Sequence, residues 1–193
     1  KQVIDKINHF KWDRDQNPNE KQSGVSNLGS VSESLLAKAF NTLIDNQNLF
    51  KTTAQQIQSY GDFVLMCLPN NLWISVKSNF VRERLLASGY TTDILGVGFF
   101  TDSDEFTSYS KVRNFQRVGF LAMYLPDIPM SDEKIGKNTS TFHEVKDKFA
   151  NDKRDFPKNI NGTDFYRPLS QVSDDLKKML AVTDIKKRTT IDF

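Results

Sequence analysis

The stretch that most constrains the fold is residues 61–78, which reads GDFVLMCLPNNLWISVKS. Two apolar runs rich in β-forming residues flank Pro69-Asn70-Asn71, a pattern that predicts a β-hairpin. Because side chains alternate between the two faces of a strand, Asp62 shares a face with Val64 and Met66 in the first run. By the same rule, one face of the second run carries Trp73, Ser75 and Lys77, and the opposite face carries Leu72, Ile74 and Val76.

This hairpin brings one carboxylate and one ammonium to its open end. Asp62 lies near the start of the first strand and Lys77 near the end of the second. A lysine inside so apolar a run costs free energy unless a partner satisfies it. Asp62 and Lys77 are therefore the first candidates for chemistry. A cross-strand salt bridge at the sheet edge is the structural alternative, and it contributes at most about 1 kcal/mol if exposed.

Length and composition favour one globular domain. The 193 residues are 38% hydrophobic and include 15 Phe, enough for one packed core. The single cysteine, Cys67, excludes an internal disulfide, and His9 and His143 lie too far apart to suggest a His-rich metal site. The lack of disulfide chemistry fits a reducing, prokaryotic-type cytoplasm. No signal-peptide pattern and no membrane-length apolar run occur, and we expect no membrane partner. A net charge of +2 permits a polyanionic partner without requiring one.

The best predicted helix covers residues 30–44, where apolar residues recur at helical spacing. Ser30 and Glu33 match a capping box, in which Glu33 would bond only to the backbone of Ser30. Alternatively, Leu36 and Phe40 continue the helix face of Glu33, which would direct its carboxylate toward the core. The sequence leaves both interpretations open. A short N-terminal helix is also plausible, followed by a loop up to residue 28.

The order of the predicted elements favours an α/β (α+β) fold, with a mixed central sheet flanked by helices. We expect a single domain over residues 1–193, with its core at about residues 30–126 and with loops and a C-terminal helix over 127–193. The remaining predicted elements are a helix over 79–88, a buried strand over 92–100, an acidic loop over 101–110, a strand over 118–125, one amphipathic helix through Phe142, Val145 and Phe149 within a weakly patterned stretch, and a last helix over 173–180 capped by Ser173. The two glycines inside the strand over 92–100 suggest close approach of another backbone.

The hairpin resembles the active-site region of the PD-(D/E)XK nuclease superfamily, which includes type II restriction endonucleases. That family carries an Asp on one strand and an acid, any residue and Lys on the next, often with a glutamate from a preceding helix. Here Asp62 is followed by Ser75-Val76-Lys77, and Glu33 lies upstream. The sequence departs from the family at two positions: Gly61 stands where Pro is common, and Ser75 stands where the second acid is expected.

The resemblance implies a restriction-endonuclease-like core and a Mg²⁺-dependent hydrolase of phosphodiester bonds. In this interpretation Asp62 binds the metal with the carbonyl of Val76, and Glu33 or Glu83 supplies the second carboxylate. Lys77 positions or helps to deprotonate the attacking water, and Ser75 bonds to a metal-bound water or a phosphate oxygen. Mg²⁺ suits such a site because it needs only one or two carboxylates and keeps several waters.

The expected partner is double-stranded DNA, and the expected assembly is a homodimer. Base contacts are predicted for one basic and amide-rich segment, with Lys111, Arg113, Asn114, Gln116 and Arg117. Weaker candidates for phosphate contact are Arg82, Arg84, Lys153, Arg154 and Lys158. Three functions remain open: a sequence-specific endonuclease, a monomeric repair or nicking nuclease, and a non-catalytic DNA-binding protein with a degenerate site.

Overall fold

The computed structural model describes residues 18–41, 49–51, 61–66, 71–77, 94–117, 119–159 and 161–181. In chain order its elements are α1 (Pro18–Asn41), β1 (Leu49–Lys51), β2 (Phe63–Leu65), β3 (Leu72–Lys77), β4 (Ile94–Gly98), α2 (Asp104–Thr107), α3 (Tyr109–Arg117), β5 (Phe120–Leu125), α4 (Asp132–Gly136), α5 (Thr141–Asn151), β6 (Tyr166–Pro168), a 3-10 turn (Leu169–Gln171) and α6 (Val172–Ala181).

The described strands form one mixed six-stranded sheet in the order β1-β2-β3-β4-β5-β6. β1, β2 and β3 pair antiparallel, whereas β3 through β6 pair parallel. β4 and β5 both have a strand on each side and are buried along their whole length, as expected for parallel strands that are covered on both faces. The mixed sheet with flanking helices confirms the predicted α/β fold class.

Two apolar clusters cover the two faces of this sheet. The first face carries side chains of β2, β3 and β4, such as Phe63, Ile74 and Val97, under α1 and α6. The second face carries Ile94 and Met123 under α3 and α5. The two clusters separate because successive residues of a strand point to opposite faces. α3 therefore lies on the face opposite to α1.

The predicted hairpin is confirmed. β2 and β3 pair antiparallel with Phe63 opposite Ile74 and Leu65 opposite Leu72. Leu72, Ile74 and Val76 are all buried on the first face, as the alternation predicted. The buried strand predicted over 92–100 is confirmed as β4, and the strand predicted over 118–125 is confirmed as β5.

The predicted start of the first helix is wrong. The helix begins at Pro18 and continues through Ser30, so Ser30 lies in the helix interior, exposed, and is not an N-cap. Pro18 favours the start because proline is suited to the first helical position, where its missing N–H is not needed. The capping-box interpretation of Glu33 therefore fails. The alternative face is supported, since Leu36 and Phe40 are buried in the first-face cluster.

Three further predictions need correction. The acidic loop predicted over 101–110 contains α2 and the start of α3, because Phe106 is buried and acidic residues favour a first helical turn. Helix α6 begins at Val172 after a 3-10 turn, so Ser173 is inside it and not its cap. Within β4, an added Cβ at Gly96 would lie 3.2 Å from side-chain atoms of Met123 and Phe120, so side chains make the close approach there.

The weakly patterned stretch contains more structure than predicted. The amphipathic helix through Phe142, Val145 and Phe149 is confirmed as α5. Helix α4 and strand β6, however, were not predicted. The predictions for the N-terminal helix and for the helix over 79–88 fall outside the described residues. In the ranges that the structure covers, no helix combines the length and the apolar character needed to cross a bilayer.

Candidate functional site

The first site contact joins Asp62 to the backbone of β3. The N–H of Val76 donates to Oδ2 of Asp62 at 2.6 Å. Val76 immediately precedes Lys77, so the Asp62 carboxylate lies beside the residues that resemble the nuclease motif. A carboxylate that accepts a backbone N–H makes a charge-assisted bond, which is stronger than a bond between neutral groups. Asp62 thus closes the open end of the β2–β3 ladder with its side chain.

The ladder is irregular at Asp62. Its backbone N–H donates to the carbonyl of Ile74 at 2.9 Å, although Phe63 is the residue paired with Ile74. Two consecutive residues therefore align with one partner, as in a β-bulge. β2 begins at Phe63, so Asp62 lies immediately before the strand. Burial still alternates from Asp62 to Leu65, with Asp62 and Val64 half-buried and Phe63 and Leu65 buried.

Gly61 is confined by the facing strand. A Cβ added there would lie 3.2 Å from the carbonyl oxygen of Ile74 and 3.4 Å from the side chain of Trp73. The first of these neighbours is backbone, which cannot give way as a flexible side chain can. Close approach therefore accounts for the glycine at the position where the nuclease family often has proline.

Ser75 is buried in the sheet. It pairs with Gly96 of β4 and is only 2% exposed. The predicted role of Ser75, bonding to a metal-bound water or phosphate, requires solvent access. Its burial favours a packing role over direct contact with a phosphate.

Lys77 is the last residue of β3, and its backbone pairs with Gly98 of β4. The structure thus places the backbone of Lys77 next to the Asp62–Val76 contact, whereas the position of its ammonium lies outside the described part of the structure. Arg82, Glu83 and Arg84 fall there too, and their predicted roles stay predictions.

Glu33 lies on α1, one turn before Leu36. Leu36 and Phe40 of that helix pack on the first face, and the Phe40 ring meets that of Phe63 edge-on at 6.1 Å. Because Phe63 follows Asp62 in sequence, α1 covers the strand that begins beside Asp62. Glu33 itself is half-buried and has contacts of its own. Its role as the second acid stays a prediction.

A Mg²⁺ site requires oxygen ligands that lie close together. In the described ranges, no three side chains of His, Cys, Asp or Glu are grouped closely enough to hold a metal ion. Asp62 and Val76 fit a smaller site, since Mg²⁺ keeps several waters and requires only one or two carboxylates. The Val76 N–H points toward Asp62, and the carbonyl of the same residue points to the same side of the strand. Asp62 and that carbonyl are thus the described oxygens that such an ion would use.

The basic segment predicted to read bases is helix α3. Val112 and Phe115 are buried against the second-face cluster, and the polar residues are exposed. The exposed residues are Ser110, Lys111, Arg113, Asn114, Gln116 and Arg117. Two of them have structural partners. The Gln116 side-chain amide donates to the backbone carbonyl of Lys158, and the Ser110 hydroxyl is hydrogen-bonded to that of Ser108 at 2.9 Å.

Arg154 is held by internal contacts. Nη1 donates to the carbonyl of Thr107 at 2.9 Å and Nη2 to the Asp152 carboxylate at 2.9 Å. The guanidinium also stacks 4.3 Å from the ring centre of Phe149. These contacts favour a structural role for Arg154 over the predicted phosphate contact. Lys153, by contrast, is exposed, with a positive φ of 52° at the end of α5.

Sequence reasoning missed a buried ionic cluster on the first face. Nε of Arg167 donates to Oδ2 of Asp175 at 2.8 Å, and the Tyr124 hydroxyl donates to the same oxygen at 2.8 Å. Burial, followed by the adjacent Asp175 carboxylate, raises the pKa of Tyr124 well above its ordinary value. The cluster ties α6 to β5 and β6. No sequence signal marked it, because acids in a first helical turn are usually solvated.

Comparisons of the chain with models of known protein families, with curated protein sequences and with solved structures give no match. The functional assignment therefore depends on the residues and contacts described above.

Proposed function

We propose that the protein is a Mg²⁺-dependent endonuclease that hydrolyses phosphodiester bonds in double-stranded DNA, at a site formed by Asp62, Val76 and Lys77. One observation carries the proposal: the Asp62 carboxylate is bonded to the backbone at the residue before Lys77. The Asp62 carboxylate thereby lies beside the backbone of Lys77, where β2 begins and β3 ends, and this placement supports the resemblance to PD-(D/E)XK nucleases.

Each residue would have a separate task. Asp62 and the carbonyl of Val76 would hold Mg²⁺ together with a glutamate, for which Glu33 and Glu83 are the candidates. The ion, when bound, neutralises charge on the phosphate and lowers the pKa of a bound water. Lys77 would orient the attacking water and stabilise negative charge on the phosphate through its ammonium. The bond from Val76 would hold the Asp62 carboxylate in one orientation before the substrate arrives.

A non-catalytic DNA-binding protein is the second candidate function. The burial of Ser75 favours it, because the position of the family's second acid is occupied here by a shielded, uncharged residue. In that case Asp62 would only complete the β2–β3 ladder. The two candidates predict opposite results in a cleavage assay.

Digestion of supercoiled plasmid tests the proposal. We expect conversion of the plasmid with Mg²⁺ and none when the metal is chelated. Accumulation of linear product would support the predicted homodimer acting on both strands, whereas open-circle product would support a monomeric nicking nuclease. An intact plasmid with and without Mg²⁺, across several plasmid sequences, would favour the non-catalytic candidate.

A further inference from the structure

Helix α3 presents a continuous polar stripe away from the sheet. Ser110, Arg113, Asn114 and Arg117 follow the spacing i, i+3, i+4, i+7, which places them on one face of a helix. All four are exposed, and the opposite face is buried through Val112 and Phe115. We call these four residues the α3 stripe. Lys111 lies beside it.

Most other basic residues with described side chains form ion pairs, and the cations of α3 do not. Arg154 pairs with Asp152, Lys158 with Asp164, and Arg167 with Asp175. Lys111, Arg113 and Arg117 form no ion pair with a described residue. No acid occurs within the nine residues of α3. The helix thus concentrates three positive charges that no described carboxylate neutralises.

The loop that follows α5 holds α3 at both ends. Arg154 donates to the carbonyl of Thr107 just before the helix, and the carbonyl of Lys158 accepts from Gln116 in its last turn. Asn159 fixes that loop, because its side-chain amide donates to the buried carbonyl of Leu121 in β5 at 3.1 Å. The helix is therefore positioned before any ligand binds, and a rigid surface loses less entropy on binding.

We propose that the α3 stripe binds duplex DNA, with Arg113 and Arg117 on backbone phosphates and Asn114 toward the bases. This inference takes DNA as the ligand from the proposed function. The major groove is about 12 Å wide and admits an α-helix. The nine residues of α3 would lie along it for about 13 Å. Gln116 and Arg154, both predicted DNA contacts, act instead as positioning residues. The acidic residues before α3, Asp102, Asp104 and Glu105, would repel phosphates, so contact is expected in the second half of the helix.

A DNA-binding assay tests the inference without requiring cleavage. The fluorescence anisotropy of a labelled 30-base-pair duplex of mixed sequence is measured as protein is added in the presence of EDTA. The test variant is Arg113→Ala/Arg117→Ala. The matched control is Lys146→Ala/Lys177→Ala, which removes two exposed cations from α5 and α6 with the same change in net charge. We expect the test variant to bind more weakly and its slope of log K against log salt to fall by about 2. We expect the control to retain the wild-type slope.

Three results would overturn the inference. The first is an equal loss of DNA affinity in both double variants. The second is an unchanged slope of log K against log salt in the arginine variant, and the third is a preference of the wild type for single-stranded DNA. Arg113→Gln/Arg117→Gln provides a second variant that keeps helix-forming, polar side chains at both positions. Plasmid cleavage is scored separately. Metal-dependent cutting by the arginine variants together with unchanged binding would reject the α3 stripe while leaving the nuclease proposal in place.

Discussion

The backbone N–H of Val76 donates to the carboxylate of Asp62 across 2.6 Å, so the side chain of one strand completes the hydrogen-bond ladder of the next. This contact gives Asp62 a structural role, in addition to the chemical role that we propose for it. The two roles can be separated, because the structural role needs only an acceptor oxygen and the chemical role needs a charge.

Substitutions at Asp62 should therefore differ in their effect on stability. Asp62→Asn keeps an acceptor for the Val76 N–H, whereas Asp62→Ala leaves that half-buried donor without it. We expect the alanine variant to lose about 1–3 kcal/mol in free energy of unfolding and the asparagine variant clearly less. Urea denaturation of both proteins measures the difference. Equal losses in free energy of unfolding for the two variants would show that the hydrogen bond from Val76 contributes little to stability.

The buried cluster around Asp175 should dominate the stability of the C-terminal half. Asp175→Ala removes the carboxylate that pairs with the Arg167 guanidinium, a group only 10% exposed, which should cost about 3–5 kcal/mol. Tyr124→Phe removes one hydrogen bond and should cost about 1 kcal/mol. The control is Lys178→Ala, because the Lys178 ammonium is exposed and 3.9 Å from Asp175. Urea denaturation measures the loss in free energy of unfolding for each variant. If Asp175→Ala loses no more than this control, the cluster contributes little to stability.

Tyr166 should make the protein sensitive to alkali. Burial raises the pKa of Tyr166 above its ordinary value, and its hydroxyl has no hydrogen-bond partner among the described residues. In the unfolded chain this tyrosine ionises near pH 10, whereas the folded chain retains the proton. Its contribution to stability is therefore complete below pH 10 and is lost as the pH rises, by about 1.4 kcal/mol per pH unit.

The variant Tyr166→Phe tests this relation. It should be neutral or stabilising at pH 7, because a buried hydroxyl without a partner is unfavourable. It should also lose less stability than the wild type between pH 10 and pH 11. Free energies of unfolding in urea at pH 7, 10 and 11 provide the comparison. An identical alkaline loss in both proteins would mean that Tyr166 ionises equally easily when folded.

The interior position of Ser30 in α1 also has a measurable consequence. A capping serine replaced by alanine costs about 1 kcal/mol, whereas an exposed serine inside a helix is slightly worse than alanine. We expect Ser30→Ala to leave the thermal midpoint unchanged or to raise it. A fall in the midpoint would indicate that the helix begins at Ser30 after all.

The hairpin and the central strands were predictable because their signals are local and repeated. Alternating apolar residues define the buried face of β3, and Pro69-Asn70-Asn71 marks the turn. The early start of α1 was not predictable in this way. Gly24 and Gly29 lower helix propensity, by about 1 kcal/mol each, yet the helix continues through both.

The sequence suggested the residues of the candidate site and did not suggest their contacts. Asp62 and Lys77 were selected from their types and spacing, whereas the bond between the Asp62 carboxylate and the Val76 N–H has no sequence pattern of its own. The basic character of α3 was visible, and its helical form was not, since Val112 and Phe115 alone define its buried face. Asp175 lies in the first turn of α6, where acids are common, and its structural role comes from Arg167, which reaches it from β6.

Cleavage of one plasmid by the wild type, Asp62→Asn and Lys77→Ala, with Mg²⁺ under single-turnover conditions, tests the central claim most directly. Thermal unfolding and DNA binding in EDTA serve as controls that each variant is folded and still binds DNA. The account predicts that the wild type cuts and that both variants lose cleavage while passing both controls. Cleavage at the wild-type rate by either variant would contradict the assignment of Asp62 and Lys77 as the catalytic pair.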